Sequence, residues 1–231
     1  MDNYQELVSV IALTMGVGWA SGINLYAALL VLGLAGATGN VQLPAELTVL
    51  QDPLVIFAAG AMYMVEFFAD KIPGVDSGWD TLHTFIRIPA GAMLAAGAVG
   101  DVTPALEIAA GIMGGTMAGA SHLTKASTRA LINTSPEPLS NWTASISEDL
   151  MVLGGLWAMF NHPLLFLCLM IVFIALVIWL LPKLLRLVAR IFRKIGEWLG
   201  IVERAPDETL VEEEAALPPP DDSPEPGAKQ P

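Results

Sequence analysis

Long apolar runs alternate with short polar segments along most of this chain. The runs cover residues 8–35, 54–69, 88–100, 104–121, 150–160 and 164–181. An α-helix that crosses a bilayer needs about 20 mostly apolar residues. The pattern therefore predicts an all-α polytopic membrane helical bundle with about six transmembrane spans.

Two of these runs are too short to cross a bilayer by themselves. The third has thirteen residues, 88–100, and the fifth has eleven, 150–160. To reach about 20 residues they must begin near Thr81 and Thr143, which draws charged side chains into the membrane region. Pro89 should bend or break the third helix locally. We therefore predict that the third and fifth spans are short or broken.

Charged side chains recur at helical spacing beside these short runs. Glu66 and Asp70 lie at i and i+4, so they share one face of a helix. Two triplets follow the spacing i, i+3, i+7, which also places their members on one helical face. The triplets are Asp80, His83 and Arg87, and His122, Lys125 and Arg129. Charge at membrane depth is costly, so it marks a functional site by default. The predicted substrate or ion pathway consists of Glu66, Asp70, Asp80, His83, Arg87, His122, Lys125, Arg129, Glu148 and Asp149.

Each of these groups also has a purely structural interpretation. Asp80 should cap the third helix as its N-terminal acid. Arg87 lies furthest inward and must find a partner, for which the sequence offers Glu148 or Asp149. The second triplet, which begins at His122, is also explained by the positive-inside rule. The acids and bases balance if both histidines are protonated, so a neutralising structural network would account for them equally well.

Glycines mark candidate helix-packing surfaces. They follow small-xxx-small spacing, which lets two helices approach closely. The positions are Gly18 and Gly22 in the first span and Gly111, Gly115 and Gly119 in the fourth. Residues 58–62 also match 109–113 in sequence, which suggests a possible repeat of two helical hairpins, although such short matches also arise by chance.

The distribution of basic residues predicts the orientation in the membrane. In a six-span arrangement, every Lys and Arg up to the sixth span falls on one side, together with the basic segment that follows it. The positive-inside rule then places both termini in the cytoplasm. The N-terminus lacks the basic region of a signal peptide and should be retained. We expect a multi-pass protein of the bacterial inner membrane.

Composition agrees with the membrane class and divides the chain into three parts. Apolar residues make up 54% of the chain and the mean hydropathy is +0.59. Residues 1–182 form the predicted transmembrane domain. Residues 183–204 form a basic amphipathic helix, whose segment 183–194 should bind anionic lipid head groups. Residues 205–231 form a disordered tail rich in acids and proline, which carries much of the net charge of −12.

Motifs for covalent chemistry are weak in this sequence. The single cysteine, Cys168, excludes an intrachain disulfide. His83 and His122 lie 39 residues apart without a recognisable metal-ligand spacing. We find no nucleophile motif and no phosphate-binding glycine loop. The sequence therefore predicts no cofactor, no metal and no nucleic-acid partner, and an enzyme is the weaker interpretation.

Three long motifs resemble a known family. They read EFFADKIPGVDSGWDTLHTFIRIPAGA, GWASGINLYAALLVLGL and HLTKASTRALINTSPEPLSNWTASISEDL. They are similar to a bacterial integral-membrane family catalogued as domain of unknown function 4126, over roughly residues 8–160. The resemblance implies a membrane protein and implies no activity, substrate or cofactor.

These observations lead to one main functional hypothesis and two alternatives. The main hypothesis is a transporter or channel-like protein for a small polar or anionic solute, with its charged site on the cytoplasmic half. Homo-oligomers are possible because glycine surfaces can also pack between copies. The first alternative is a membrane assembly or scaffold protein that transports nothing. The second is a membrane-embedded enzyme for lipid head groups, in which Glu66, Asp80 and His83 would act as acids and bases.

Overall fold

The computed structural model describes residues 2–134, 138–199 and 201. In these residues all regular structure is helical, so the all-α prediction is confirmed. The described residues form a short 3₁₀ helix, Ala45–Gln51, and six α-helices. These are α1 (Asp2–Ala37), α2 (Pro53–Ala69), α3 (Val75–Ala98), α4 (Pro104–Ile132), α5 (Pro138–Asn161) and α6 (Pro163–Trp198).

Proline begins four of the six α-helices. At the first helical position its missing N–H costs nothing, because that N–H would have no partner within the helix. α2, α4, α5 and α6 begin with Pro53, Pro104, Pro138 and Pro163. Asp52 also caps α2, since its Oδ1 accepts a hydrogen bond from the Leu54 N–H at 2.8 Å. Proline placed in this way explains why short turns separate long helices.

α1 consists of two helical arms joined at Asn24. This residue has extended dihedral angles, φ −146° and ψ 95°, and separates an N-terminal arm, 2–23, from a C-terminal arm, 25–37. Its Oδ1 accepts a hydrogen bond from the Ala27 N–H at 2.9 Å, so Asn24 caps the second arm. The break that we expected in the third or fifth span is therefore found in the first helix.

The two arms of α1 fold back on each other. The N-terminal arm starts beside the C-terminal end of α3, where Leu7 and Val10 line one cavity with Val99, the C-cap residue of α3. It ends near Gly22, whose carbonyl faces the first half of α3. The C-terminal arm then returns, because Gly36 lies against Leu43 and the next residue, Pro44, lies beside Gly100 just after α3. α1 is therefore a helical hairpin with its tip at Asn24, and it does not run through the bundle once.

The helical unit that spans residues 1–188 has two chemically different ends. Its turn end holds both ends of α1, the 3₁₀ helix, the α3–α4 turn and the α5–α6 turn, and the described residues there include no Lys or Arg. Its charged end holds the α2–α3 turn, the end of α4 and the start of α5. The N-terminus lies at the turn end, and α6 starts there and extends away from it. The prediction that both termini share one side involves a C-terminus that lies outside the described residues, so it stays a prediction.

Small residues bring α1, α3 and α4 together. A Cβ on Gly18 would lie 2.8 Å from the Cα of Gly114, and Gly22 is closed off by Ser121 and Ala118. The three predicted glycines of α4 face α3 at more ordinary distances. A Cβ there would have its nearest neighbour at 3.5, 3.2 and 3.6 Å for Gly111, Gly115 and Gly119. The tightest position in α4 is thus Gly114, which the predicted spacing does not include.

In the part of the chain that the structure describes, fewer helices than the six we predicted are long and apolar enough to cross a membrane. α1 and α6 are long and apolar enough, and the 3₁₀ helix with α2 makes a third span if this pair, bent by 69°, is counted as one. α3, α4 and α5 are long enough, at 24, 29 and 24 residues. Glycine and polar side chains lower their mean hydropathy.

Neither predicted helix break occurs. α3 runs without interruption from Val75 to Ala98 with Pro89 inside it, and α5 is one helix of 24 residues. The third and fifth helices are therefore neither short nor broken. α6 also continues through Pro182 as far as Trp198, so residues 183–198 extend the sixth helix. From Ala189 onward the described residues belong to a second unit. The predicted tail, 205–231, lies outside the described residues.

Candidate functional site

Seven charged side chains form one connected set of ion pairs inside the charged end. We call this set the ion cluster; it consists of Glu66, Asp70, Asp80, Arg87, Lys125, Arg129 and Glu148. Six of the seven are buried, and the Glu148 side chain is 14% exposed. α2, α3, α4 and α5 each contribute at least one member. The structure thus joins seven of the ten predicted site residues directly.

Arg87 lies at the centre of the α2–α3 half of the ion cluster. Its NH2 group donates to Glu66 Oε1 at 2.6 Å, and its NH1 group donates to Asp80 Oδ1 at 3.0 Å. All three side chains are at most 1% exposed. The prediction that Arg87 pairs with Glu148 or Asp149 is wrong, because α2 supplies a nearer acid. Two charge-assisted hydrogen bonds hold this guanidinium in a fixed position.

Lys125 connects the two halves of the ion cluster. Its Nζ donates to Asp70 Oδ2 at 2.7 Å and lies 3.5 Å from Glu148 Oε2. Longer contacts of 3.6 and 3.8 Å reach Glu66 and Asp80. One ammonium group therefore lies within ion-pair distance of four carboxylates from three helices.

Arg129 forms the α4–α5 half of the ion cluster. Its Nε and NH2 groups bind the two oxygens of Glu148 at 3.1 and 2.7 Å, a bidentate pair. Its NH1 group donates to the backbone carbonyl of Asp70 and to Asn141 Oδ1, at 3.0 and 2.9 Å. These bonds leave the fully buried guanidinium well satisfied. Arg129 thus ties the α2–α3 turn to the start of α5.

The tip of the α1 hairpin faces the ion cluster directly. The break frees carbonyls in the last turn of the N-terminal arm, and these point at cations. Lys125 Nζ donates to the carbonyl of Ile23 at 3.1 Å, and Arg87 NH1 lies 3.5 Å from the carbonyl of Gly22. At the start of the C-terminal arm, Asn24 Nδ2 donates to Asp149 Oδ1 at 3.1 Å. The C-terminal end of the first arm therefore faces cations, and the N-terminal end of the second arm faces an acid. The helix dipole favours this placement at both ends.

His122 attaches to the ion cluster as a neutral side chain. Arg87 NH1 lies 3.1 Å from His122 Nδ1, and a guanidinium can only donate, so Nδ1 accepts. Nε2 then carries the hydrogen and donates to Thr84 Oγ1 at 2.7 Å, while that hydroxyl donates to the Asp80 carbonyl at 3.0 Å. The balance of acids and bases that assumed a protonated His122 is therefore wrong.

His83 lies beside the ion cluster and forms no ion pair with it. Its Nδ1 donates to the Trp79 carbonyl at 2.9 Å, and its Nε2 lies 3.0 Å from the Tyr26 hydroxyl. The Trp79 ring stacks on the imidazole with a centroid distance of 4.3 Å. Both nitrogens are thus occupied, and His83 links α3 to the C-terminal arm of α1.

The N-terminal cap of α3 differs from the one we predicted. α3 begins at Val75, so Asp80 lies inside the helix as an ion-pair partner. The N-cap residue is Gly74, and Asp76 lies in the first turn of α3. Asp76 Oδ1 accepts hydrogen bonds from the backbone N–H groups of Gly74 and Ser77 at 2.9 and 2.7 Å. The helix begins at Val75 instead of near Thr81, which is about 1.7 turns further towards its N-terminus than we predicted.

The charged end carries more buried negative charge than positive charge. Six acids are placed there, namely Asp76, Asp149 and the four acids of the ion cluster. Four bases face them, namely Lys71, Arg87, Lys125 and Arg129. Four carboxylate oxygens are buried without a hydrogen-bond partner among the described residues: Glu66 Oε2, Asp70 Oδ1, Asp80 Oδ2 and Asp149 Oδ2. With neutral histidines, the site has a surplus of two negative charges.

This surplus can be offset by a bound proton or a small cation. In the part of the chain that the structure describes, no three His, Cys, Asp or Glu side chains are placed to hold a metal ion. Oxygen atoms without partners in a buried site are costly, so they favour groups that can donate to them. The arrangement can therefore bind a proton or a small cation.

Sequence reasoning missed the residues that connect α1 to the site. Asn24 breaks the helix and binds Asp149, and Tyr26 binds His83. Asn141 supports Arg129 from the start of α5. The available signal was the pair of polar residues that interrupts the first apolar run, one of which is Asn24. Its partner lies 125 residues away in the chain, so spacing could not identify it.

The family comparison places the chain in a family without an assigned activity. The family model described as Domain of unknown function (DUF4126) matches residues 11–183, and the chain belongs to this family. The matched segment contains every residue of the ion cluster and both arms of α1 from Ile11 onward. No curated protein and no solved structure matches the chain.

Proposed function

We propose that this chain is a multi-pass protein of the bacterial inner membrane in which α2 to α6 cross and α1 is re-entrant. The distribution of side chains supports the proposal. On α3, Phe85 and Met93 are 80% and 74% exposed, whereas Asp80 and Arg87 are buried. A helix of 24 residues is about 36 Å long, more than the roughly 30 Å of bilayer hydrocarbon. An apolar exterior around a charged interior suits a lipid environment.

The positive-inside rule assigns the orientation. The basic residues lie at the charged end and the turn end has none among the described residues, so the charged end faces the cytoplasm. With α1 re-entrant, the N-terminus lies outside and α6 leads to the cytoplasm, a revision of the six-span expectation. The basic segment 183–194 would then lie near anionic lipid head groups.

A labelling experiment tests this orientation. In a Cys168→Ser background, Asn3→Cys and Arg193→Cys are labelled in intact cells with a membrane-impermeant thiol reagent. We expect Asn3→Cys to react from outside and Arg193→Cys to react only after lysis. Equal reactivity of the two positions in intact cells would contradict the re-entrant arrangement.

Within this frame, the function that the geometry supports best is transport of a small polar or ionic solute. The observation that carries it is the helix break at Asn24 inside a buried charged site. Irregular backbone at membrane depth is found where it is buried in protein or lines a water-filled cavity. Broken helices whose ends face ions are typical of substrate and coupling-ion sites in transporters.

The charges of the site favour a cation or a neutral polar solute over an anion. Arg87, Lys125 and Arg129 are each bound to carboxylates within 3.1 Å. An anion would have to displace those carboxylates, while the site already has a surplus of negative charge. The anionic solute expected from the sequence is therefore the weaker proposal.

A flux assay tests transport. The purified protein is reconstituted in liposomes, and swelling is followed by light scattering in isotonic potassium thiocyanate, sodium thiocyanate and glycerol. The membrane-permeant thiocyanate balances the charge of any cation that enters. We expect faster swelling than in empty liposomes for at least one solute. Asn24→Ala should change that rate, whereas the control Asn40→Ala, in an exposed loop, should not. Rates equal to those of empty liposomes in all three solutions would reject the proposal.

The second candidate is a membrane assembly or scaffold protein. It is favoured by the completeness of the ion pairing, since every base of the ion cluster has at least one carboxylate partner. Such a network would fix the arrangement of four helices without any pathway. This candidate becomes the leading one if the flux assay is negative while the variants remain folded. The enzyme alternative has no comparable support, because both nitrogens of His83 are occupied.

A further inference from the structure

Asp149 is the least compensated buried acid at the charged end. It is 8% exposed, its Oδ1 accepts one hydrogen bond from Asn24 Nδ2, and its Oδ2 has no partner. Among the described residues, no Lys or Arg nitrogen lies within 4.0 Å of its carboxyl oxygens. A buried carboxylate with one amide donor keeps much of its desolvation cost.

The other acids of the charged end are better satisfied as anions. Each acid of the ion cluster has a Lys or Arg nitrogen within 3.0 Å. Asp76 has no cation partner, yet it accepts from two backbone N–H groups and from Asn133 Nδ2, which lies 2.8 and 3.0 Å from its two oxygens. Asp76 also lies at a helix N-terminus, which favours negative charge. Asp149 is thus the acid of the charged end that is least stabilised as an anion, and protonation relieves its desolvation cost the most.

The charged groups around Asp149 do not change this comparison. From α2, Lys71, Asp70 and Tyr63 act on it through space, and α4 contributes Lys125. The α1 hairpin contributes only the Asn24 amide, and Glu148 of α5 itself is bound to Arg129.

Lys71 is the one base of the charged end that has no carboxylate within 4.0 Å among the described residues. Its Nζ instead donates to the carbonyl of Phe67 and to Ser145 Oγ, at 3.0 and 3.2 Å. Lys71 therefore does not neutralise Asp149 by direct contact.

We propose that Asp149 is a proton-binding site coupled to the break in α1. A proton from solvent forms an O–H bond with one carboxyl oxygen, and the carboxylate becomes a neutral carboxylic acid without any redox change. The neutral acid accepts a weaker hydrogen bond from Asn24 than the carboxylate does. Since Asn24 also caps the C-terminal arm through Ala27, proton binding at Asp149 alters the restraint on the hairpin tip. The inference deepens the proposed function, because it names the proton as the ion that would drive transport. Only this link to transport rests on the proposed function; proton binding at Asp149 does not.

Infrared difference spectroscopy tests the proposal without a transport assay. Spectra of the purified full chain in nanodiscs are compared between acidic and alkaline buffers, in H₂O and D₂O. A carboxylic acid with few hydrogen-bond partners gives a high-frequency C=O band. We expect this band in the wild type and its loss in Asp149→Asn. The control Glu107→Gln, which alters an exposed acid in the first turn of α4, should retain it.

Each outcome decides the question. A band that is the same in Asp149→Asn and the wild type would place the proton elsewhere and overturn the proposal, as would the absence of a band in the wild type. If Asp149→Asn does not fold, Asp149→Glu keeps an acid at this position and must shift the band. A negative flux assay with the Asp149 band present would reject transport and leave the proton site standing.

Discussion

Replacing Arg87 by glutamine tests the electrostatics of the ion cluster most directly. The guanidinium is completely buried and binds Glu66 at 2.6 Å and Asp80 at 3.0 Å. Removing it leaves two buried carboxylates without their principal cation, and it raises the surplus of negative charge from two to three. Breaking a buried ion pair in this way typically costs about 3–5 kcal/mol. We expect Arg87→Gln to lower the free energy of unfolding by about that amount.

Replacing Glu66, the acid partner of Arg87, should lower the free energy of unfolding less. Glu66→Gln removes one negative charge from a site that has too many, and Arg87 keeps its bond to Asp80. The expected loss is about 1.5–3 kcal/mol, the value of one hydrogen bond to a charged group. The double variant should recover part of the loss seen for Arg87→Gln, because its surplus of negative charge returns to two.

Equilibrium unfolding in mixed detergent and SDS micelles, followed by circular dichroism, gives these free energies. Arg193→Gln is the matched control, because Arg193 is 64% exposed and forms only a 3.7 Å pair with Glu197. Its effect should stay within about 1 kcal/mol. The reasoning would be refuted if Glu66→Gln cost as much as Arg87→Gln, or if Arg87→Gln matched the control. The latter result would show that water already screens the site.

Two further predictions concern the packing and the cap of α1. Gly114→Ala should destabilise the protein by about 1–3 kcal/mol, because the new Cβ would meet Ala95 and the Gly91 carbonyl. Gly119→Ala is the control and should have little effect. Unfolding titrations compare the two variants, and equal losses of stability would contradict the close approach of α3 and α4 at Gly114. Asn24→Ala should cost about 0.5–2 kcal/mol through loss of the cap on the C-terminal arm. It should also speed amide hydrogen exchange in residues 25–28 more than in residues 10–13, and uniform exchange across both arms would argue against a local break at Asn24.

The sequence alone determined the helical class and the identity of the charged residues. Apolar runs and charge spacing depend only on neighbours within a few turns, so they can be read directly from the chain. The same reasoning placed every base before the basic segment at one end, as the structure also does. It began α3 near Thr81, because about 20 residues are enough to cross a bilayer, and it placed Asp80 as the cap of that helix. The structure begins α3 at Val75, and the burial of Asp80 is made possible by Arg87 of the same helix and by Lys125 of α4.

Only the tertiary structure decided the path of α1 and the pairing of the charges. One residue, Asn24, changes its dihedral angles and reverses the helix, and its flanking residues have no proline or other clear break signal. The reversal depends on Asp149, 125 positions away, and on Lys125 and Arg87, which bind the freed carbonyls. Ion partners are likewise set by the depth at which each helix packs. Contacts between residues distant in the chain have no fixed spacing, so these features could not be read from the sequence.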